Sequence, residues 1–307
     1  NSVAARNGVL AVAVEANVKT DLGKVVFFDA DLNITGVVTV GSLPDMLAFT
    51  PNGRYVLVAN EGEPNTHGNF GSETNGPSVD PEGSISIIDL DWGPDHATVR
   101  TANFRAFNGT VLDPSIRIYG PNATVAQDIE PEYITISADS KTAWVTCQEN
   151  NAIATIDIKS ARVTRLSGLG FKNHSLPGNG LDASDQDGGI NIANWPLFGV
   201  YMPDTIASYK AGGQTFLVMA NEGDTRVWPG YSEEVRIGSL TLDTNAFPNA
   251  AELKQTNQLG RLTITTANLD ADGDGDVDVL YSLGARSFSI RTTTGALVFD
   301  SGDQFEQ

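Results

Sequence analysis

Nine residues, Asp270-Ala271-Asp272-Gly273-Asp274-Gly275-Asp276-Val277-Asp278, crowd five carboxylates into one short stretch. Acids at relative positions 1, 3, 5 and 9 with glycine at 6 match the start of a calcium loop. Alternate oxygens point inward and the glycine permits a sharp turn. Like charges this dense repel unless a hard cation neutralises them. Tyr281 stands at position 12, where a helical calcium hand carries glutamate, so a shorter loop with a structural Ca2+ is expected. The competing reading is a solvated acidic turn. Asp182, Asp185 and Asp187 with Gly188 form a weaker second loop, which lacks an acid at its first position, Ala183.

A second acidic pattern recurs. Pro44-Asp45 leads to Asn60-Glu61-Gly62, Pro131-Glu132 to Gln148-Glu149-Asn150, and Pro203-Asp204 to Asn221-Glu222-Gly223, with acid-to-acid offsets of 16, 17 and 18 residues. Such near-constant spacing marks one repeated supersecondary unit. If each unit is an antiparallel hairpin, its opening and closing acids lie at the same end, and stacked copies gather carboxylates on one face. Glu15 occupies the closing position in the first unit. Converging acids need cations, protons or arginines. Arg226 and Arg286 sit beside the same turns, suited to pairing with those acids or to binding a phosphate. The same motifs also serve plain turn geometry, an amide-acid-glycine cap and a Pro-Asp strand entry. His67, His96 and His174 lie in long polar connections without a surrounding motif and are expected to be solvated.

The elements that must position these residues read as strands. Short runs rich in Val, Ile, Thr and Phe are punctuated by Gly, Asn, Asp and Pro, and only 250–255 has the makings of a helical turn or two. A third strand follows the hairpins at 23–29, 83–89 and 151–157, and a fourth at 35–40 and 161–166. Four antiparallel strands per unit with apolar character on both sides describe a propeller blade. The fold class is therefore all-β, a β-propeller of four-stranded antiparallel blades. About five are visible, the fifth beginning at 279–286. Long connections at 64–82, 103–129, 169–202 and 226–259 separate them. In a blade the innermost strand starts where the second ends, so Asp45, Glu132 and Asp204 are expected nearest the axis, with Glu61, Glu149 and Glu222 just outside.

Lys and Arg total 19 against 38 Asp and Glu, a net charge of −19. Phosphate backbones would be repelled, which argues against nucleic acid as a partner. No apolar run approaches the roughly 18 residues of a membrane span, so no direct membrane insertion is expected. Cys147 is the only cysteine, which excludes an intrachain disulfide and a cysteine zinc site, and its apolar surroundings predict a buried, inert thiol.

The stretch 47–60, with its Thr-Pro-Asn-Gly turn before a strand ending in Ala-Asn, resembles the surface-layer type of propeller repeat. Residues 60–65, 80–84, 181–189, 202–207 and 221–226 resemble more closely the choice-of-anchor I family of secreted bacterial propellers, whose members are often labelled alkaline-phosphatase-like. The resemblance runs from the N-terminus to Phe305. It implies a secreted, periplasmic or cell-surface protein and a single propeller domain over 1–307, C-terminally incomplete relative to a family of roughly seven blades. The exposed strand edges of such an incomplete ring would permit self-association. The label implies a metal-dependent phosphomonoesterase or phosphodiesterase. Mouth carboxylates would hold Ca2+ or a second divalent metal that lowers the pKa of bound water, with Glu61, Glu149, Glu222, Arg226 and Arg286 as candidate catalytic groups. The alternative is a noncatalytic surface or matrix propeller that holds a glycan or protein instead of a small phosphate ester.

Overall fold

The computed structural model describes residues 1–65, 79–120 and 122–307. The chain opens with a four-stranded antiparallel sheet: β1 (Ser2–Arg6), β2 (Val9–Val14), β3 (Leu22–Phe28) and β4 (Ile34–Ser42), paired in chain order. Asn7 and Gly8, both at positive φ (51° and 79°), close its first hairpin as a two-residue turn. Both turn positions need the left-handed region, where asparagine and glycine are tolerated. A second sheet holds β5 (Pro44–Phe49), β6 (Tyr55–Asn60), β7 (Ser84–Asp89) and β8 (Thr98–Asn103). After helix α1 (Val125–Asp128), capped by Thr124 and Gln127, a third holds β9 (Ile134–Ile136), β10 (Thr142–Cys147), β11 (Ala152–Asp157) and β12 (Arg162–Gly168).

The next segment supplies β13 (Phe171–Asn173), the short pair β14 (Leu181–Asp182) and β15 (Ile192–Ala193), and β16 (Phe198–Val200). The fourth four-stranded sheet starts with β17 (Ile206–Ala211) and β18 (Gln214–Asn221), leaves for a long insertion, and resumes at β24 and β25. The insertion holds the pair β19 (Val227–Trp228) and β20 (Tyr231–Ser232), then β21 (Glu234–Arg236), α2 (Ala250–Leu253), β22 (Thr263–Thr265) and β23 (Tyr281–Ser282). The sheet ends with β24 (Ser287–Thr292) and β25 (Leu297–Asp300).

Strand faces explain why these sheets fan like blades. On β6, Val56 and Val58 pack with Ala11, Val25 and Phe27 of the first sheet, whereas Leu57 and Ala59 pack with Ala143 and Val145 of the third. On β10, Val145 faces back toward the second sheet while Trp144 packs with Leu217 and Met219 of the fourth. Side chains alternate across a strand, so a central strand apolar at every position must be covered on both faces. The first strands β1, β5, β9 and β17 neighbour one another in series, the inner edge of a propeller.

Two expectations change. Residues 279–286 do not open a further four-stranded blade. Tyr281–Ser282 forms β23 in a five-stranded sheet of order β13-β16-β23-β22-β21, where it runs parallel to β16, and the chain then enters β24 of the fourth blade. The long connections at 169–202 and 226–259 are likewise not plain loops. They build this sheet around their own core of Trp195, Leu197, Ile237, Leu259, Ile264 and Leu280.

Candidate functional site

The repeated acids converge. Asp45, Glu61, Glu132, Glu149, Asp204 and Glu222 all line one cavity of about 420 Å3, with Glu63, Gln148 and Asp224. The local cause is shared. Leu43 and Met202, each just before the motif proline, sit at positive φ (49° and 46°). Their carbonyls accept Glu61 N at 3.0 Å and Gly223 N at 3.1 Å, which folds the closing turn onto the opening acid. In the third and fourth blades the opening acid is tied across the hairpin by its own backbone, Glu132 N donating to Thr146 O (3.0 Å) and Asp204 N to Ala220 O (3.1 Å). Glu15 is exposed and lies outside this cavity.

Burial among like charges raises the pKa of these carboxyls. Glu61 is pushed up to about 9, first by burial and then by Glu63, Asp45 and Glu149. Glu132 is held well above its ordinary range by burial and by Glu149, Glu61, Asp204 and Asp45. The Gln148 amide, turned to donate, meets both its oxygens at 3.0 and 3.2 Å. Burial raises Glu149 to about 7, with Arg226 holding it back. Asp45 and Asp204 are also raised, chiefly by burial. At neutral pH the cavity therefore demands protons or cations.

Neither candidate arginine opens on the cavity. Arg226 is fully buried beneath it, with Nε 3.4 Å from Glu130 Oε2 and Nη2 donating to the Asp128 carbonyl at 2.8 Å. Its guanidinium stacks on Tyr119 and Trp228 at 4.9 and 5.9 Å. Arg117 pairs with Glu233 in the same buried network, also against Tyr119. Arg286 lies elsewhere, lining a separate cavity beside Glu306 and Asp182. Among the described residues only Lys19 forms an ion pair with a mouth carboxylate, 2.8 Å from Glu63 at the edge.

The Asp-rich loop folds on itself. Asp270 accepts from Gly273 N (2.6 Å) and Gly275 N (3.0 Å), and Asp278 from Ala271 N (2.7 Å). Two carboxylate groups form, Asp270–Asp272–Asp278 and Asp243–Asp276–Asp278, each with one oxygen per residue within 4.8 Å of the others. Asp274 lies outside both. Asp243 comes from a distant segment, delivered by the parallel bridge Leu242–Val277 and the bond from Asp243 N to Val277 O (3.0 Å). The donor set is entirely oxygen, and Asp276 Oδ1 is buried without a protein partner among the described residues, so the residues fit a hard cation. Among the described residues, no such group occurs at the mouth or at Asp182, Asp185 and Asp187. Asp185 pairs instead with Arg261, and Asp182 lies under Arg286.

His174 departs from expectation. It is 1 % exposed, and its Nδ1 lies 2.7 Å from the Asn179 carbonyl oxygen. His96 is exposed beside Asp95, and His67 lies outside the described residues. Cys147 is buried, and its thiol is raised by burial. Glu63 and Asp224 could have been found: each follows its turn glycine, in Glu61-Gly62-Glu63 and Glu222-Gly223-Asp224. No short-range signal marks Asp243, Asp128, Glu130 or Glu233.

The chain belongs to the choice-of-anchor I family, whose domain matches residues 1–307. No curated protein matches it. Among solved structures it is similar to Kuenenia stuttgartiensis hydrazine synthase, with 11% identity over 72% of this chain and 54% of that one and a TM-score of 0.40. It is also similar to KlHsv2 with loop 6CD replaced by a Gly-Ser linker (10%, 71% and 48%, TM-score 0.38). Pseudomonas aeruginosa periplasmic gluconolactonase PpgL shares 14% identity over 69% of this chain and 47% of that one, with a TM-score of 0.35. The chain thus spans about half the length of these proteins. The likenesses are distant, and the fold assignment rests on the chain's own sheets and its family.

Proposed function

We propose that this chain is a secreted or cell-surface propeller that holds calcium at its Asp-rich loop and loads divalent cations at its acidic mouth, where it acts on small phosphate esters. The observation that supports the mouth reading is the 420 Å3 cavity lined by eight carboxylates, several with raised pKa, and, among the described residues, by no arginine or lysine. An anionic ester cannot enter such a field unless cations enter first. Asp270, Asp272 and Asp278, with Asp243 and Asp276, would hold the calcium, which ties the 241–243 segment to the 270–278 loop. At the mouth a divalent cation would supply Lewis acidity and a more acidic bound water. Glu149, Glu132 and Glu61 line the cavity it would enter, and Glu222, exposed at the rim, is the carboxylate best placed to take a proton from an entering group.

A noncatalytic binding role is the second reading. It is favoured by the sequestration of Arg226 and the remoteness of Arg286, which leave no guanidinium among the described residues for a phosphoryl group at the mouth. Turnover of an aryl phosphate separates the two. The enzyme reading expects activity that chelator abolishes, calcium or another divalent ion restores and Glu222→Gln lowers. Activity indifferent to chelator, or no turnover with any divalent ion, would remove it.

A further inference from the structure

A second cavity, of about 710 Å3, lies apart from the mouth, where the five-stranded sheet meets the 181–185 segment and Glu306. Three arginines from separate segments line it: Arg236 at the end of β21, Arg261 before β22 and Arg286 before β24. Four carboxylates stand among them, so guanidinia do not prevail. Arg261 grips Asp185 with two nitrogens, Nη2 lying 2.8 Å from Oδ2. Arg286 Nη1 lies 3.2 Å from Glu306 Oε1 and donates to the Asp182 carbonyl at 3.0 Å. Arg236 Nη1 donates to the Arg261 carbonyl at 2.5 Å, and Glu234 accepts from Thr225 Oγ1 at 3.0 Å. Leu181, Leu262 and Leu283 supply apolar wall between these groups.

This balance selects a ligand class. An anion needs an excess of positive charge, and the cavity has none. A metal ion needs three or more converging free carboxylates, and among the described residues none converge here: Asp185 and Glu306 pair with arginines and Glu234 accepts from Thr225. A sugar hydroxyl both donates and accepts, so neighbouring hydroxyls can bridge a carboxylate and a guanidinium that already hold each other in place. Sugar C–H faces can rest on leucine. Asp182 Oδ1 is a buried acceptor with no protein partner among the described residues. The volume falls within the range of small-molecule sites, roughly 300–1,000 Å3.

We propose that this cavity binds a neutral saccharide. The site uses no mouth residue and stands whether or not the mouth is catalytic.

Saturation-transfer NMR on the intact chain tests it, with glucose, galactose, mannose, N-acetylglucosamine and maltose as probes and inorganic phosphate as competitor. The expected result is transfer to at least one sugar, weakened about tenfold or more by Asp185→Asn and by Arg261→Ala, and unaffected by phosphate. Arg236→Ala removes an exposed side chain and keeps the test open should Arg261→Ala fail to fold. No transfer to any of the sugars, displacement by phosphate, or a signal that survives every cavity substitution would overturn the proposal.

Discussion

Acid should weaken this fold through one histidine. His174 is buried, donates Nδ1–H to the Asn179 carbonyl at 2.7 Å, and leaves Nε2 buried without a protein partner among the described residues. Burial, reinforced by the positive charges of Lys172 and Arg286, lowers its pKa from 6.5 to about 4. Because the folded pKa is depressed, the unfolded chain takes up the proton first. Stability is complete above about pH 6.5, falls as pH drops toward 4, and is level below that. A shift of about 2.5 units at 1.36 kcal/mol each amounts to about 3 kcal/mol. Replacing His174 by glutamine keeps a neutral donor of similar reach and removes the titration. Urea midpoints at pH 7.5 and 4.5 should converge by most of that amount in His174→Gln relative to the parent, since other titrating groups are common to both chains. Equal pH slopes in the two proteins would refute the assignment of a neutral, buried imidazole.

Four further outcomes follow from the charged sites. Calcium should raise the melting temperature, by the equivalent of about 2.7 kcal/mol at a hundredfold excess over Kd. Asp278→Asn, which strikes both carboxylate groups, should abolish that gain in a thermal shift assay, and Asp274→Asn should not. Glu61→Gln in metal-free buffer should raise stability at pH 8 by about 2–4 kcal/mol. The parent's raised carboxyl makes it lose stability as pH rises from the ordinary glutamate value toward 9, so equal urea midpoints would refute the shift. Arg226→Met leaves Asp128, Glu130 and Glu149 buried without their cation and should cost about 3–5 kcal/mol by chemical denaturation. A loss below about 1 kcal/mol would mean those acids are already protonated.

The blades were legible because central strands such as 55–60 and 142–147 are apolar on both faces, and because the hairpins of the second, third and fourth blades are bounded by a proline-acid entry and an amide-acid exit. Period and punctuation are local properties, and they survive any rearrangement of what lies between. The convergence of Asp45, Glu132 and Asp204 on one cavity followed from the same repetition, since identical units stacked side by side present identical ends. The Asp-rich loop was visible as a spacing, yet the fifth residue of its two carboxylate groups was not. Asp243 lies 27 residues before Asp270 and arrives only through a single parallel bridge.

What sequence alone decided about this protein is the identity of its strands and the sign of its mouth, because alternation and charge are written residue by residue. What only the tertiary structure decided is where the cations of the chain went. Arg226 sits beside a mouth glutamate in sequence but turns inward to Asp128 and Glu130, nearly a hundred residues away, because a buried pair of acids binds a guanidinium more strongly than an exposed turn does. Arg286 adjoins the fourth blade in sequence, but β23 joins the inserted sheet, which carries the arginine to a different cavity. Such choices depend on competition between partners distant along the chain, and no local pattern records which of them wins.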